Sequence, residues 1–364
     1  MTVGVPFTRL VPDEDREAVE AAIARVVDSG WFVLGPEVEA FEAEFAAACG
    51  TSASVGVGTG TDAIALILRA LGIGPGDEVV TTPVSAAYTA LAVMMTGARP
   101  VFADIDPQRL TLDPRAAESA VTPRTRALLP VHLYGQPADM PALAAVAERH
   151  GLALVEDCCQ AHLATCEGQP VGSWSAAAAF SFYPTKNLGA LGDGGAIVTS
   201  DRMLAERLKR LRNGGQSDRY HHAEFGVNSR LDEIQAAVLR ARLPYLRGWT
   251  AARRAAASKL RATIRTPHVT VPPEADPGHV YHLFAVLTTR REELRGHLAA
   301  AGIETLIHYP VPVPRQPALS AMRPAVCPVA DRICNQVLSL PLHPAITPSE
   351  LDAIQAAVNS FSQP

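Results

Sequence analysis

Between Thr51 and Ser200 short apolar runs alternate with helix-like stretches, and no other feature of this 364-residue chain restricts its fold as strongly. Glu78 to Thr82 (EVVTT), Arg99 to Asp104 (RPVFAD), Arg126 to Leu133 (RALLPVHL), Leu152 to Asp157 (LALVED), Ala176 to Phe182 and Gly195 to Ser200 read as strands. Ala86 to Gly97, ending in Gly, and Met140 to His150 read as helices. Strands that alternate with helices need right-handed crossovers, which cover both faces of a largely parallel sheet. The expectation is an α/β fold whose ligands sit beyond the carboxyl ends of its strands.

After Asp201 the texture changes. Asp201 is placed to cap a helix over Arg202 to Arg212 that Gly214 would close. A long Arg- and Ala-rich helix follows from Leu231 to about Thr263, interrupted near Pro244. Pro-rich segments at Pro272–Pro277 and Pro310–Pro317 bracket a smaller unit. It holds a strand over His282 to Thr288 and helices over Arg291 to Ala301 and Glu350 to Ser360. This predicts a large ligand-binding domain over residues 1–250 and a smaller C-terminal α+β domain over 251–364, in keeping with the chain's length.

Composition removes several function classes. A net charge of −5 argues against nucleic acid as a main partner, since phosphate binding shows as a basic excess. No run of about 18 apolar residues predicts a membrane span, and Met1 to Glu17 lacks the basic-then-apolar order of a signal segment, so a cytoplasmic protein is expected. The six cysteines read as buried free thiols, because Cys158, Cys159 and Cys166 lack a second close pair to complete a metal site; no metal is expected.

Only three lysines occur, Lys186, Lys209 and Lys259; the other 29 of the 32 basic residues are arginine. Lys209 and Lys259 lie in Arg-rich helical stretches, whereas Lys186 follows a buried strand in the otherwise apolar and Gly-rich FSFYPTKNLGALGDGG. Arginine cannot replace lysine where a primary amine must lose its proton and attack a carbonyl. Taken alone, Lys186 reads equally as a surface loop lysine. Asp157, ending an apolar strand, can ion-pair the pyridinium nitrogen of pyridoxal phosphate or simply cap the next turn. Gln160 can meet the ring hydroxyl or be a plain loop residue. Gly58, Gly60 and Thr61 precede an amphipathic helix whose first amides suit a dianionic phosphate, and Ser181 can donate to the same group. As a dinucleotide fingerprint the loop is poor, being GxGxG rather than GxGxxG. Loop, acid, serine and lysine in this order carry more than any of them singly.

With these segments the chain resembles the DegT/DnrJ/EryC1/StrS sugar aminotransferases, fold type I of the pyridoxal-phosphate enzymes. The resemblance runs from about Pro6 to Pro344 through GTGTDAIAL, GIGPGDEVVTTP, GARPVFADIDP, TPRTRALLPVHLYGQPADM, VEDCCQAH, AFSFYPTKNLGALGDGGAIVT, GVNSRLDEIQAAVLR, IHYPVP, RQPA and LSLPLHP. It implies that Lys186 carries pyridoxal 5'-phosphate, that Asp157 holds its pyridine nitrogen and Gln160 its ring hydroxyl, and that Gly60, Thr61 and Ser181 meet its phosphate. Asn228 matches a residue that reaches the cofactor phosphate of the neighbouring subunit, which implies a homodimer. Tyr183, His162, Tyr220, His308 and Tyr309 match the side facing the substrate, with His162 either lining the pocket or buttressing the loop.

The implied reaction is transamination of a nucleotide-linked keto sugar with L-glutamate as donor, returning 2-oxoglutarate. Gly192–Gly195 (GDGG) resembles enzymes that aminate C3 of a dTDP-linked 6-deoxy sugar, whereas C4 enzymes more often carry Glu at the Asp193 position. Ala86 stands where many relatives have a ring-stacking aromatic, with Tyr88 two residues away, and Pro314 and Leu319 depart from the usual pattern near the sugar pocket. Rival readings are a keto-sugar dehydratase, which replaces the lysine with His, an aminotransferase for a C4 sugar or an aminocyclitol, and a non-catalytic regulatory homologue.

Overall fold

The computed structural model describes residues 4–11, 13–319 and 326–362. Its centre is a seven-stranded sheet in the order Ala53–Val57, Gly195–Thr199, Ala177–Ser181, Ala153–Asp157, Thr125–Leu129, Glu78–Thr81, Arg99–Phe102. Gly195–Thr199 runs antiparallel to both its neighbours; the other pairings are parallel. The carboxyl ends of six strands therefore share one edge; Asp157 ends its strand there, and the segments leading to Gly60, Thr89 and Lys186 leave from it.

The edge strand Ala53–Val57, short and flanked by Ser and Gly, has no clear signature in the sequence. The strand expected over Arg126 to Leu133 stops at Leu129, because Pro130 has no N–H to offer a ladder, and the chain turns through Leu133–Gly135 instead. The long helix is two, Glu233–Arg242 and Leu246–Thr263, joined by a tight turn at Pro244. Asp201 does cap its helix, accepting from Met203 N and Leu204 N at 2.8 and 3.1 Å, but Asn213 and not Gly214 ends it.

Helices cover both faces of the sheet. Gly60–Ala70 and Arg202–Arg212 bury Ile64, Ile67, Leu208 and Leu211 against one face. On the other, Phe41 and Phe45 of the Pro36–Cys49 helix meet Phe180 and Phe182 edge-on, with centroids 5.1–5.3 Å apart. Beyond the sheet, Phe284–Leu287 pairs antiparallel with Val337–Leu340. The helices Arg291–Ala300 and Pro348–Ser360 pack over that pair, burying Leu294, Leu298, Ile354 and Val358 together with Leu260. Val5 joins this core and bridges to Ile303, so the N-terminal segment lies on the C-terminal unit.

Candidate active site

The loop leaving the Ala177–Ser181 strand is pinned on both sides of Lys186. Lys186 N donates to Tyr183 O at 2.8 Å, and the buried Asn187 donates to Val280 O at 3.1 Å and meets His282 Nδ1 at 3.2 Å. Burial holds the Lys186 ammonium below the ordinary lysine value, with the acidic groups of Cys159 and Asp157 pulling the other way. An amine of reduced basicity is what carbonyl attack requires.

Asp157 ends the Ala153–Asp157 strand, 4% exposed. Its Oδ2 accepts from Thr89 Oγ1 at 2.8 Å and its Oδ1 from Cys159 N at 3.1 Å. No ion pair reaches it among the described residues, so a buried carboxylate stands without a cation in contact. The consecutive Glu156 points away from this edge into the core, where Gly172 N, Trp174 N, Ser175 Oγ and the His132 ring bond it at 2.8–3.1 Å. His132 Nδ1 accepts from Ala138 N at 3.0 Å, which leaves the ring proton on Nε2, facing Glu156. The ligand-type atoms of His132, Glu156 and Cys158 come within 4.8 Å of one another, but His132 and Glu156 are already filled by these hydrogen bonds.

Gln160 is fixed end for end. Its Oε1 accepts from Tyr134 N at 2.7 Å and its Nε2 donates to Tyr309 Oη at 3.0 Å, leaving a second N–H toward the strand edge. Tyr134 in turn donates its hydroxyl to His308 O, and His308 Nδ1 meets Ser339 Oγ at 3.0 Å. Burial lowers His308 to about 4 and raises Tyr309 to about 12, so both are neutral near pH 7.

The glycine loop closes the other side. Thr59 caps the Gly60–Ala70 helix, accepting from Asp62 N at 3.0 Å. A Cβ on Gly60 would lie 2.7 Å from Cys159 Sγ and 2.8 Å from Ser181 Cβ, and one on Gly195 only 2.4 Å from the Thr59 carbonyl carbon. Both glycines exist to let the loop sit on the strand end; Gly195, within the segment that suggested C3 specificity, thus has a packing role of its own. The Ser181 hydroxyl has no acceptor among the described residues.

Lys186, Asp157, Gln160, Gly60, Thr61 and Ser181 therefore gather at one edge, as do His308 and Tyr309 from the C-terminal unit. Four other candidates behave differently. His162 has no exposed surface: it lies against Phe180 and Phe182, with Nε2 on Ser181 O at 2.9 Å. Of its two expected roles the buttress is the one this burial permits. Tyr220 is 77% exposed on the hairpin of Gln216–Asp218 and His221–His222. Tyr183 is also exposed. Asn228 is exposed, makes no side-chain hydrogen bond among the described residues, and stands four residues before the N-cap Asp232, so it does not cap its own helix. Its neighbour Ser229 is buried and bonds Gly58 N and Asp62 Oδ2 at 2.9 and 2.8 Å. Thr89, Ser85, Tyr134 and Cys159 were not singled out in the sequence; for Thr89 the available signal was a hydroxyl in the first helical turn after a strand that ends at the ligand edge.

The family model for the DegT/DnrJ/EryC1/StrS aminotransferase family matches residues 13–359. The chain belongs to this family. This aminotransferase is 53% identical to the dTDP-3-amino-3,4,6-trideoxy-alpha-D-glucose transaminase of Streptomyces venezuelae, over 98% of this chain and 96% of that one. It is 49% identical, over 98% and 99%, to the erythromycin biosynthesis sensory transduction protein EryC1 of Saccharopolyspora erythraea. The crystal structure of S. venezuelae DesV in complex with a ketimine intermediate superposes with a TM-score of 0.95 at 52% identity, covering 98% of this chain and 97% of that one. Among the described residues no helix is long and apolar enough to cross a membrane.

Proposed function

We propose that this aminotransferase holds pyridoxal 5'-phosphate on Lys186 and uses it to move an amino group from L-glutamate to C3 of a dTDP-linked keto-6-deoxy sugar. The observation that carries the reading is Asp157, a buried carboxylate with no cation in contact, on the same strand edge as a primary amine of lowered basicity. A protonated pyridine nitrogen supplies the missing cation. The second N–H of Gln160 suits the ring hydroxyl, and the Gly60–Thr61 amides with the Ser181 hydroxyl, whose proton has no acceptor among the described residues, suit a phosphate at a helix N-terminus.

Bound, the cofactor supplies an electron sink for the pair left when the α-hydrogen of the amino donor departs. The protein's residues do the rest. Asp157 keeps the ring nitrogen charged. The Lys186 amine, once displaced by the donor, takes the proton from the α-carbon and returns one to the sugar carbon in the second half-reaction. The neutral His308 and Tyr309 face the same edge as candidate sugar contacts, with Tyr183 at the rim.

The C3 assignment rests on similarity to the S. venezuelae transaminase and on the Gly192–Gly195 segment. A regulatory role, which the name of the EryC1 relative suggests, has less support, because amine, carboxylate and glycine loop are all retained here. We further infer a cytoplasmic homodimer in which Asn228 serves the partner's site. Phe225, 94% exposed, and Trp31, 56% exposed, are consistent with a surface covered by a second copy.

Purified protein should absorb in the visible, and borohydride reduction should fix the label on the peptide containing Lys186. Label on Lys209 or Lys259 overturns the assignment. Lys186→Arg should keep the charge and lose transamination, and a screen of donors and keto sugars tests C3 against C4.

A further inference from the structure

Three hydroxyl and carboxylate groups lie in line beneath the ligand edge. Thr89 Oγ1 donates to Asp157 Oδ2 at 2.8 Å, and Ser85 Oγ lies 2.9 Å from Thr89 Oγ1; all three residues are buried. The direction of the chain follows from chemistry. An ionised carboxylate only accepts, so the Thr89 proton goes to Asp157, and Thr89 must receive its bond from the Ser85 hydroxyl.

This is not how a helical threonine usually settles. Thr89 lies in the first turn of the Tyr88–Met95 helix, where a threonine hydroxyl commonly turns back to a carbonyl three or four residues earlier. Here it meets the side chain of Ser85, four residues back, and points its proton at a carboxylate 68 positions away. The remaining tethers of Asp157 both come from Cys159, its backbone N at 3.1 Å and its thiol. Thr89 and Cys159 thus hold one oxygen each and fix the plane of the carboxylate.

We propose that Ser85 and Thr89 are positioning residues for the reaction: a donor relay that orients Asp157 toward the ring nitrogen of the cofactor. The proposal rests on the reading of Asp157 as the partner of that nitrogen. Hydrogen bonds in series strengthen one another, and a bond to a charged acceptor is among the stronger ones. Removing the Thr89 donor leaves the carboxylate held from the Cys159 side alone, free to turn away from the line of the ring N–H.

The test uses the full-length protein loaded with pyridoxal phosphate labelled with 15N in the ring, so that the nitrogen resonance reports its protonation directly. Four variants are compared: Thr89→Val, Thr89→Ser, Ser85→Ala and Asp157→Asn. Thr89→Val should move the resonance toward that of Asp157→Asn and lower kcat about tenfold with little change in KM, the scale of one charge-assisted hydrogen bond. Thr89→Ser should restore both to wild type, which a purely packing role for the threonine methyl would not do. Ser85→Ala should shift both in the same direction by less, and it stands in for Thr89→Val if that chain does not fold. Wild-type resonance and kcat in Thr89→Val, with Asp157→Asn displaced, overturn the relay and leave the reading of Asp157 intact. An unmoved resonance in Asp157→Asn overturns both.

Discussion

Gln160 and Tyr309 are bonded across 149 positions of sequence, the Gln160 amide donating to the Tyr309 hydroxyl at 3.0 Å. Because Tyr134 N occupies the other end of the amide, this bond sets which way its free N–H points. Tyr309→Phe keeps the ring but removes the acceptor. The expected outcome is an intact fold with kcat/KM lowered about tenfold, in line with a bond of about 1.4 kcal/mol. Steady-state kinetics at wild-type efficiency would show that the hydroxyl does not steer Gln160.

Glu156 should matter for stability and not for chemistry. Four donors converge on its two oxygens, whereas a glutamine offers one oxygen and sets its own N–H groups against the others. Glu156→Gln should cost on the order of 3 kcal/mol. Denaturant unfolding of the cofactor-free protein reads this; a loss below about 1 kcal/mol would falsify the saturated network.

Asn228 can be assigned by mixing subunits. Lys186→Ala and Asn228→Ala chains should each be poorly active. If Asn228 serves the partner's site, a heterodimer gathers both lesions in one site and frees the other, recovering about half of wild-type activity. The opposite outcome is that Asn228 acts within its own subunit, beside Ser229, which is anchored to Gly58 and Asp62 of the same chain. In that case mixing restores nothing, even with heterodimer formation confirmed.

The pH dependence of stability should carry a mark of His162. Burial, with Lys186 adding to it, lowers this ring to about 3, so the native state leaves it neutral while the unfolded chain protonates it near its ordinary 6.5. The unfolded state binds the extra proton, and stability therefore falls as pH drops below about 6.5, levelling only near the native value. His162→Gln, which keeps an N–H for Ser181 O, should lose about 2 kcal/mol less than wild type between pH 7 and pH 5. Equal losses in the two proteins would mean that His162 is protonated in the native state.

Much of the architecture was legible because it is written in local periods. The helices Met140–His150 and Arg202–Arg212 have the expected bounds, and five strands of the large sheet lie within the expected segments, since apolar spacing and caps act over a few residues. The scarcity of lysine singled out Lys186, because arginine cannot stand in where a primary amine must attack a carbonyl. Where Pro130 ended a strand early, the signal was also present and outweighed by the apolar residues around it.

By itself, then, the sequence determined the α/β class, the alternating strands and helices from Glu78 to Arg212, and the amine, acid and glycine loop that meet at the strand edge. The tertiary structure decided what each of those groups touches. Thr89 reaches Asp157, Tyr309 reaches Gln160, and His162 turns inward among phenylalanines instead of lining a pocket. Hydrogen bonding and burial at such positions depend on which distant segments the parallel sheet and the C-terminal unit bring to one edge, and no residue's identity or near neighbours encode that.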